Sequence, residues 1–162
     1  MAGVLECCGD HALEDDWDHY LCRLGEDQAS IYLDLSIAAK APVATHSHSV
    51  VVSVPMLRPR EDGMSSEEEF EDLIALENHL IVRPHADEAM YVGRLTARGS
   101  RVFYFYTADP GSLARDVKAA MEEHPAYQYQ INSHADPEWS AYLRFLYPSP
   151  GDHQRMKIRR LN

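Results

Sequence analysis

VVVSVPMLRPREDGMSSEEEFEDLIALENHL, residues 50–80, is the stretch on which the fold reading turns. Ser49 to Val54 is valine-rich and almost continuously apolar, the pattern of a strand buried on both faces. Pro55 closes that run, and the chain enters a dense charged loop, Arg58-Pro59-Arg60-Glu61-Asp62-Gly63. Ser65 and Ser66 each precede a glutamate by three residues, which predicts two overlapping capping boxes at a helix start. Glu67, Glu68 and Glu69 suit the positive end of the helix dipole, so they receive a structural use and no catalytic one. Phe70, Leu73, Ile74, Leu80 and Ile81 then recur at helical spacing, with Glu77 the one polar interruption, and Pro84 ends the run.

Working outward from this stretch, Glu88 to Leu95 reads as a strand and Thr96 to Ser100 as a glycine-bearing hairpin turn. Arg101-Val102-Phe103-Tyr104-Phe105-Tyr106 is the plainest strand of the chain. Asp109-Pro110 caps a helix whose apolar face is Leu113, Val117, Ala120 and Met121, stopped by His124-Pro125. Tyr127 to Ile131 alternates as an amphipathic strand. The order from Ser49 to Ile131 is βαββαβ, which predicts an α+β protein with a ferredoxin-like core. Trp17 to Arg23 and Ala29 to Leu35 form an N-terminal hairpin about the Gly25 turn. Trp139, Leu143 and Leu146 would align on a helix, but Trp139, Ala141, Leu143 and Phe145 alternate, and the reading favours a C-terminal strand. A short basic helix follows Pro148-Ser149-Pro150. The expected organisation is a flexible acidic leader over residues 1–16 and one domain over residues 17–162.

Bulk properties bound the function. The chain has 162 residues, 45% hydrophobic and 25% charged, which suits one globular domain. Its net charge of −11 is uneven: residues 1–35 set many acids against Arg23 alone, whereas Arg144, Arg155, Lys157, Arg159 and Arg160 gather near the end. An acidic surface repels nucleic acid, and the basic end is able to meet an acidic partner. The start has no basic region followed by an apolar core, and no apolar run approaches a membrane span. Cys7, Cys8 and Cys22 are an odd set without a CxxC pair, so a reducing cytoplasm is expected and neither a disulfide framework nor a zinc site is.

Four groupings are candidates for chemistry. Arg58 and Arg60 beside a helix N-terminus have the makings of a carboxylate or phosphate site, but Glu61 and Asp62 lie close enough to turn the loop into a salt-bridged brace. The brace is the favoured reading. Phe103 to Tyr106 occupies the strand that presents base-stacking aromatics in RNA-recognition modules, although the charge opposes phosphate binding. His46 and His48 have a metal-ligand spacing with no third ligand beside them, so no metal or cofactor is expected. Trp139, Tyr142 and Tyr147 belong to an aromatic segment that either packs onto the sheet or meets a partner protein.

Trp17-Asp18 with Tyr20, Val54-Pro55-Met56 with Pro59-Arg60, Phe103 to Tyr106, and Asp136-Pro137-Glu138-Trp139 through Leu146-Tyr147-Pro148 together resemble the bacterial domain-of-unknown-function family six-nine-five. The likeness runs from Trp17 onward and is most specific from Asp136 to Pro148. Some members of that family are joined to a domain similar to regulator B of ribonuclease E, and the likeness leads us to expect only the first domain in these residues. The resemblance implies a bacterial, intracellular protein and carries no catalytic residues. The expectation is therefore a cytoplasmic, non-catalytic module that binds another protein through a sheet edge or the aromatic C-terminal segment with Trp139, Tyr142 and Tyr147, with a homodimer left open. The alternative is a small anionic-ligand binder or enzyme using Arg58, Arg60, Glu61 and Asp62. RNA binding stands third.

Overall fold

The computed structural model describes residues 15–82 and 88–162. Six strands, β1 (Trp17–Leu24), β2 (Asp27–Asp34), β3 (His48–Pro55), β4 (Ala89–Ala97), β5 (Ser100–Thr107) and β6 (Gln130–Ala135), form one sheet in the order β1-β2-β4-β5-β3-β6. Every neighbouring pair is antiparallel. Three α-helices accompany it: α1 (Phe70–Val82), α2 (Pro110–Met121) and α3 (Pro150–Leu161). The protein is therefore α+β, and among the described residues no helix is long and apolar enough to cross a membrane.

Two cores lie on opposite faces of the sheet. On one, Val50, Val52 and Val54 of β3 and Phe103 and Phe105 of β5 meet Leu73, Leu76 and Leu80 of α1 and Leu113 and Val117 of α2. Alternation along a strand sends the intervening residues to the other face. There Ile31, Leu33, Leu95 and Tyr106 are covered by Trp139, Tyr142, Leu146 and Met156. This second cover explains why β5 carries aromatics on both faces. Of the rings an RNA-stacking face would present, Tyr106 is buried with the Trp139 ring stacked on it at 3.9 Å, and Tyr104 is half-buried beside Phe145.

The expected C-terminal strand is instead helical. Trp139 takes a φ of 56°, which breaks an extended run, and the Asp136 carboxylate accepts N–H bonds from Ser140 (2.9 Å) and Ala141 (3.1 Å) as a cap does. Ala141–Leu146 follows as a π-helix in which Tyr147 N–H donates to Tyr142 C=O at 2.9 Å. Helical spacing thus overrode the alternation, and Trp139, Tyr142 and Leu146 share the buried side. The Trp139 indole donates to His46 C=O (2.9 Å) and the Tyr142 hydroxyl to Asp34 C=O (2.7 Å).

Two smaller corrections have equally local causes. The strand expected over Tyr127–Ile131 begins at Gln130, opposite Ser53, because Tyr127 is tied by its hydroxyl to Glu69 at 2.6 Å. The predicted capping boxes do not form: Ser66 makes no side-chain cap bond, and the helix opens with a 3-10 turn, Glu67–Glu69. The basic end of the chain finds its acidic partner within the molecule, Arg160 Nε donating to Asp18 (2.8 Å) and Arg160 Nη2 to Asp16 (3.0 Å). Residues 1–14, with Cys7 and Cys8 and most of the predicted leader, lie outside the described residues, as does the Pro84 stop.

Candidate functional site

The Arg58–Asp62 loop is the first place to look. Arg60 pairs with Asp62 at 2.5 Å, and Asp62 also accepts the Met64 N–H at 3.0 Å. The backbone closes on itself, Arg60 N–H to Met64 C=O (2.8 Å) and Gly63 N–H to Arg60 C=O (2.9 Å), and docks on the β4–β5 turn through Gly99 N–H to Gly63 C=O (2.9 Å). Gly63 has a φ of +84°, and a Cβ there would lie 2.8 Å from the Arg98 nitrogen, so no other residue fits without displacing the turn. Arg58 points outward to Asp72 at 3.6 Å, and Glu61 is exposed with no ion pair among the described residues. The two arginines therefore pair with different acids, Arg58 with Asp72 and Arg60 with Asp62.

What fixes this loop is Glu69, a residue the sequence reading dismissed as dipole decoration. Its side chain is fully buried and accepts N–H bonds from Leu57 (2.8 Å) and Arg58 (2.7 Å) and the Tyr127 hydroxyl bond (2.6 Å). Burial works to raise its pKa, and these three bonds outweigh it, leaving the carboxyl below its ordinary value. Of the other candidates, Trp139 and Tyr142 are fully buried and Tyr147 is half-buried against His153. Trp139 and Tyr142 are core, tying the π-helical segment to the loop before β3 and to the end of β2.

A different place has the form of a site. The β1–β2 hairpin extends the sheet beyond β4, while α1 and α2 pack over β3 and β5. The helical side of the extension is left as a cleft of about 770 Å³ between the sheet and α1. Its floor is aromatic: Trp17 stacks on Tyr32 with ring centroids 5.0 Å apart and on Tyr91 at 5.3 Å. Its wall is the flank of α1, with Phe70, Ile74 and Ile81 facing the space and Phe70 55% exposed. The turn after β2 brings Lys40 to the rim.

One charged cluster sits in this floor. Glu77 interrupts the apolar stripe of α1 and is buried, pairing with Arg94 of β4 and accepting the Tyr91 hydroxyl at 2.9 Å. Arg94 lies over the Tyr32 ring at 4.5 Å, a cation–π contact. Behind Glu77, Arg101 of β5 keeps 6% of its side-chain exposure and comes no nearer to the carboxylate than 3.7 Å. Its Nε and Nη1 are buried without a hydrogen-bond partner among the described residues. Its Nη2 donates to the Ser65 hydroxyl at 3.4 Å. Burial, with Arg94 adding to it and the carboxylates of Glu77 and Glu69 opposing, pushes the Arg101 guanidinium down to about 10. Burial and Glu77 push the Tyr91 phenol well above its usual range, so it stays a neutral donor. Asp34, at the cleft edge, is spent on the N–H groups of Asp16 (2.9 Å) and Ser36 (3.0 Å) and the Ser36 hydroxyl (2.7 Å).

None of these cleft residues was a sequence candidate. One signal was visible: Glu77 stood as the lone polar residue on an apolar stripe, and a buried carboxylate demands a cation nearby. Among the described residues no group of three or more metal-ligating side chains occurs, so none of them joins His46 and His48 as a third ligand.

An antiparallel sheet covered on both faces, with an aromatic cleft beside one helix, defines a mixed α+β protein. The chain belongs to a family of unknown function (DUF695), whose family model matches residues 15–147. That span contains every cleft residue named above, from Trp17 to Arg101, and stops before α3. No curated protein matches the chain, and no solved structure does.

Proposed function

We propose that the protein is a non-catalytic, cytoplasmic binding module that recognises a short segment of another protein in the cleft between α1 and the β1–β2 extension. The observation that carries this reading is the cleft itself, about 770 Å³ lined by Trp17, Tyr32, Phe70, Ile74 and Ile81. A single large side chain does not fill such a space, whereas a few consecutive residues do. From Phe70 to Ile81 the wall runs eleven helical steps, roughly 16 Å at about 1.5 Å each, the reach of about five extended residues. Glu77 is saturated by Arg94 and Tyr91, a use that fits recognition better than proton transfer. The half-buried free thiol of Cys22 fits a reducing compartment.

We read the β3–α1–β4–β5–α2–β6 portion as a ferredoxin-like unit. The strand order β6-β3-β5-β4 and the packing of both helices on one face support that reading. On it, the β1–β2 hairpin is an addition that builds the cleft, and recognition belongs to the addition.

The test is selection of binders from a random peptide library on the full chain, with Phe70→Glu and Trp17→Ala as counter-selecting variants. Both residues are partly exposed, so circular dichroism of the variants should match the unaltered chain. Peptides that bind the unaltered chain and lose affinity for both variants are expected. Selected peptides that bind all three equally would place recognition elsewhere and sink the proposal.

A further inference from the structure

We infer that strand β6, one edge of the sheet, pairs antiparallel with β6 of a second copy of this chain about a two-fold axis through Ser133. This does not depend on the cleft reading, because β6 and the β1–β2 hairpin stand at opposite edges of the sheet.

An edge strand presents a row of backbone donors and acceptors, and proteins that stay single blunt such rows. The two edges here are treated differently. Leu35 N–H donates to Asp16 C=O at 2.9 Å, which fixes the phase of the β1–β2 ladder. Asp18, Tyr20 and Cys22 then bond to β2, while His19 and Leu21 turn their backbone groups outward. In the middle of that edge the outward groups are occupied: His19 N–H donates to the Asp18 carboxylate (2.8 Å), and His19 C=O accepts from Arg159 of α3 (3.0 Å).

At the other edge Asp136 N–H donates to Ser47 C=O at 2.8 Å, so Gln130, Asn132 and His134 are the residues bonded to β3. The N–H and C=O groups of Ile131, Ser133 and Ala135 face away from the sheet and have no partner among the described residues. The usual protections are missing as well. Gln130–Ala135 contains no proline and no charged residue, its ladder to β3 runs without a bulge, and every residue in it except Ile131 is exposed.

The outward residues are spaced evenly about Ser133, and that spacing selects the occupant. An antiparallel copy centred there sets Ile131 opposite Ala135 of the second copy and Ser133 opposite its own counterpart, so every outward N–H meets a C=O. Sliding the copies by two residues would leave one outward residue of each unpaired. Side chains agree with this register. The large Ile131 lies beside a small alanine, Asn132 meets His134 of the second copy with complementary donors and acceptors, and no like charges oppose. Charge favours the same place, since two bodies of net charge −11 repel over most of their surface and β6 is a neutral strip. Pro137, just beyond, has no N–H to extend the ladder. A pairing about 20 Å long makes an interface at the low end of specific ones, so association in the micromolar range is expected. The pair would carry its two clefts at the outer ends of one continuous sheet.

The experiment is sedimentation equilibrium of the full chain from about 5 to 500 µM, a range that spans such an affinity. A monomer–dimer equilibrium is expected. Ser133→Pro removes the N–H on the axis, and Ser133→Lys sets like charges opposite each other; each should raise the dissociation constant at least about tenfold. Leu21→Lys on the β1 edge should leave it unchanged. Circular dichroism checks that the variants fold, and Ser133→Lys carries the test where proline disturbs β6. Oxidation tests the register: Ser133→Cys should link copies well above the background of the unaltered chain, because Cα atoms paired across the axis stand about 5.5 Å apart. Gln130→Cys, whose counterpart lies six residues away along the strand, should not. A monomer throughout the range, a dimer indifferent to both Ser133 variants, or equal linking through Gln130→Cys would each overturn the inference. Library peptides that bind a monomeric chain and lose affinity for Ser133→Lys, but not for Phe70→Glu, would give the edge to a partner's strand and overturn the second copy.

Discussion

Glu77→Gln is the perturbation that examines the charged cluster most directly. The substitution keeps the shape and an oxygen to accept the Tyr91 hydroxyl, and removes the charge that Arg94 and Arg101 share. Glu77 and Arg101 retain 8% and 6% of their side-chain exposure, so neither guanidinium-to-carboxylate term is screened as a surface pair is. Breaking a buried pair costs about 3–5 kcal/mol. Arg94 is 19% exposed and able to turn toward water, which places the expected loss near the lower end, about 3 kcal/mol. For a domain of this size that is a fall in melting temperature of roughly 6–12 °C. Adding Arg101→Met removes the most deeply buried unpaired charge and should restore about half the loss, because a hydrophobic replacement of matched volume is tolerated where a lone charge is not. Urea denaturation at neutral pH, followed by fluorescence and circular dichroism with unchanged slope, measures both quantities. A loss below about 1 kcal/mol, or a double variant weaker than the sum of the singles, would refute the claim that Glu77 is the main counter-charge of Arg94 and Arg101.

The remaining predictions concern the packing around it. Glu69 has a folded pKa below its ordinary 4.5, so the unfolded chain takes up its proton first on acidification; stability present above that value is lost as pH falls through it, and Glu69→Gln should flatten this acid limb in a pH series of denaturation curves. Trp139→Ala empties the centre of the second core and should cost about 3–5 kcal/mol by the same assay, with loss of near-ultraviolet dichroism. Gly93→Ala would set a Cβ 2.9 Å from the Tyr32 carbonyl oxygen and should part β2 from β4, seen as faster amide exchange along the β1–β2 hairpin. Arg160→Ala leaves Asp18 with Arg159 and should lower stability by no more than about 1 kcal/mol, an effect that shrinks with added salt.

The elements that were legible in sequence are those whose pattern is local. The valine run of β3, the aromatic run of β5 and the Asp109-Pro110 start of α2 each read correctly, since alternation, β-branching and a proline at the first turn act within a few residues. The reading failed where a distant partner decided. Ser65 and Ser66 look like caps, but Glu69 turns away from them to bind the backbone of Leu57 and Arg58, and no spacing rule anticipates a bond across a loop. Trp139 to Phe145 alternates as a strand does, yet Asp136 caps it and Tyr106 waits beneath it, so tertiary packing chose the helical period.

The cleft was illegible for a related reason with more consequence. Trp17, Tyr32, Glu77, Tyr91 and Arg94 come from four elements, and only the order β1-β2-β4 places the first hairpin beside the strand that carries Arg94. Each residue alone has an ordinary explanation: a strand aromatic, a polar break in a stripe, a surface arginine. Together they form an apolar space with one ionic cluster in its floor, in which two buried carboxylates, Glu77 and Glu69, act on Arg101 while Arg94 faces the cleft. Bracing α1 on the sheet therefore accounts for both arginines, because each has a carboxylate to answer. Arg101→Met alone is then expected to destabilise the chain in the same urea series, and a variant more stable than the unaltered chain would refute that account.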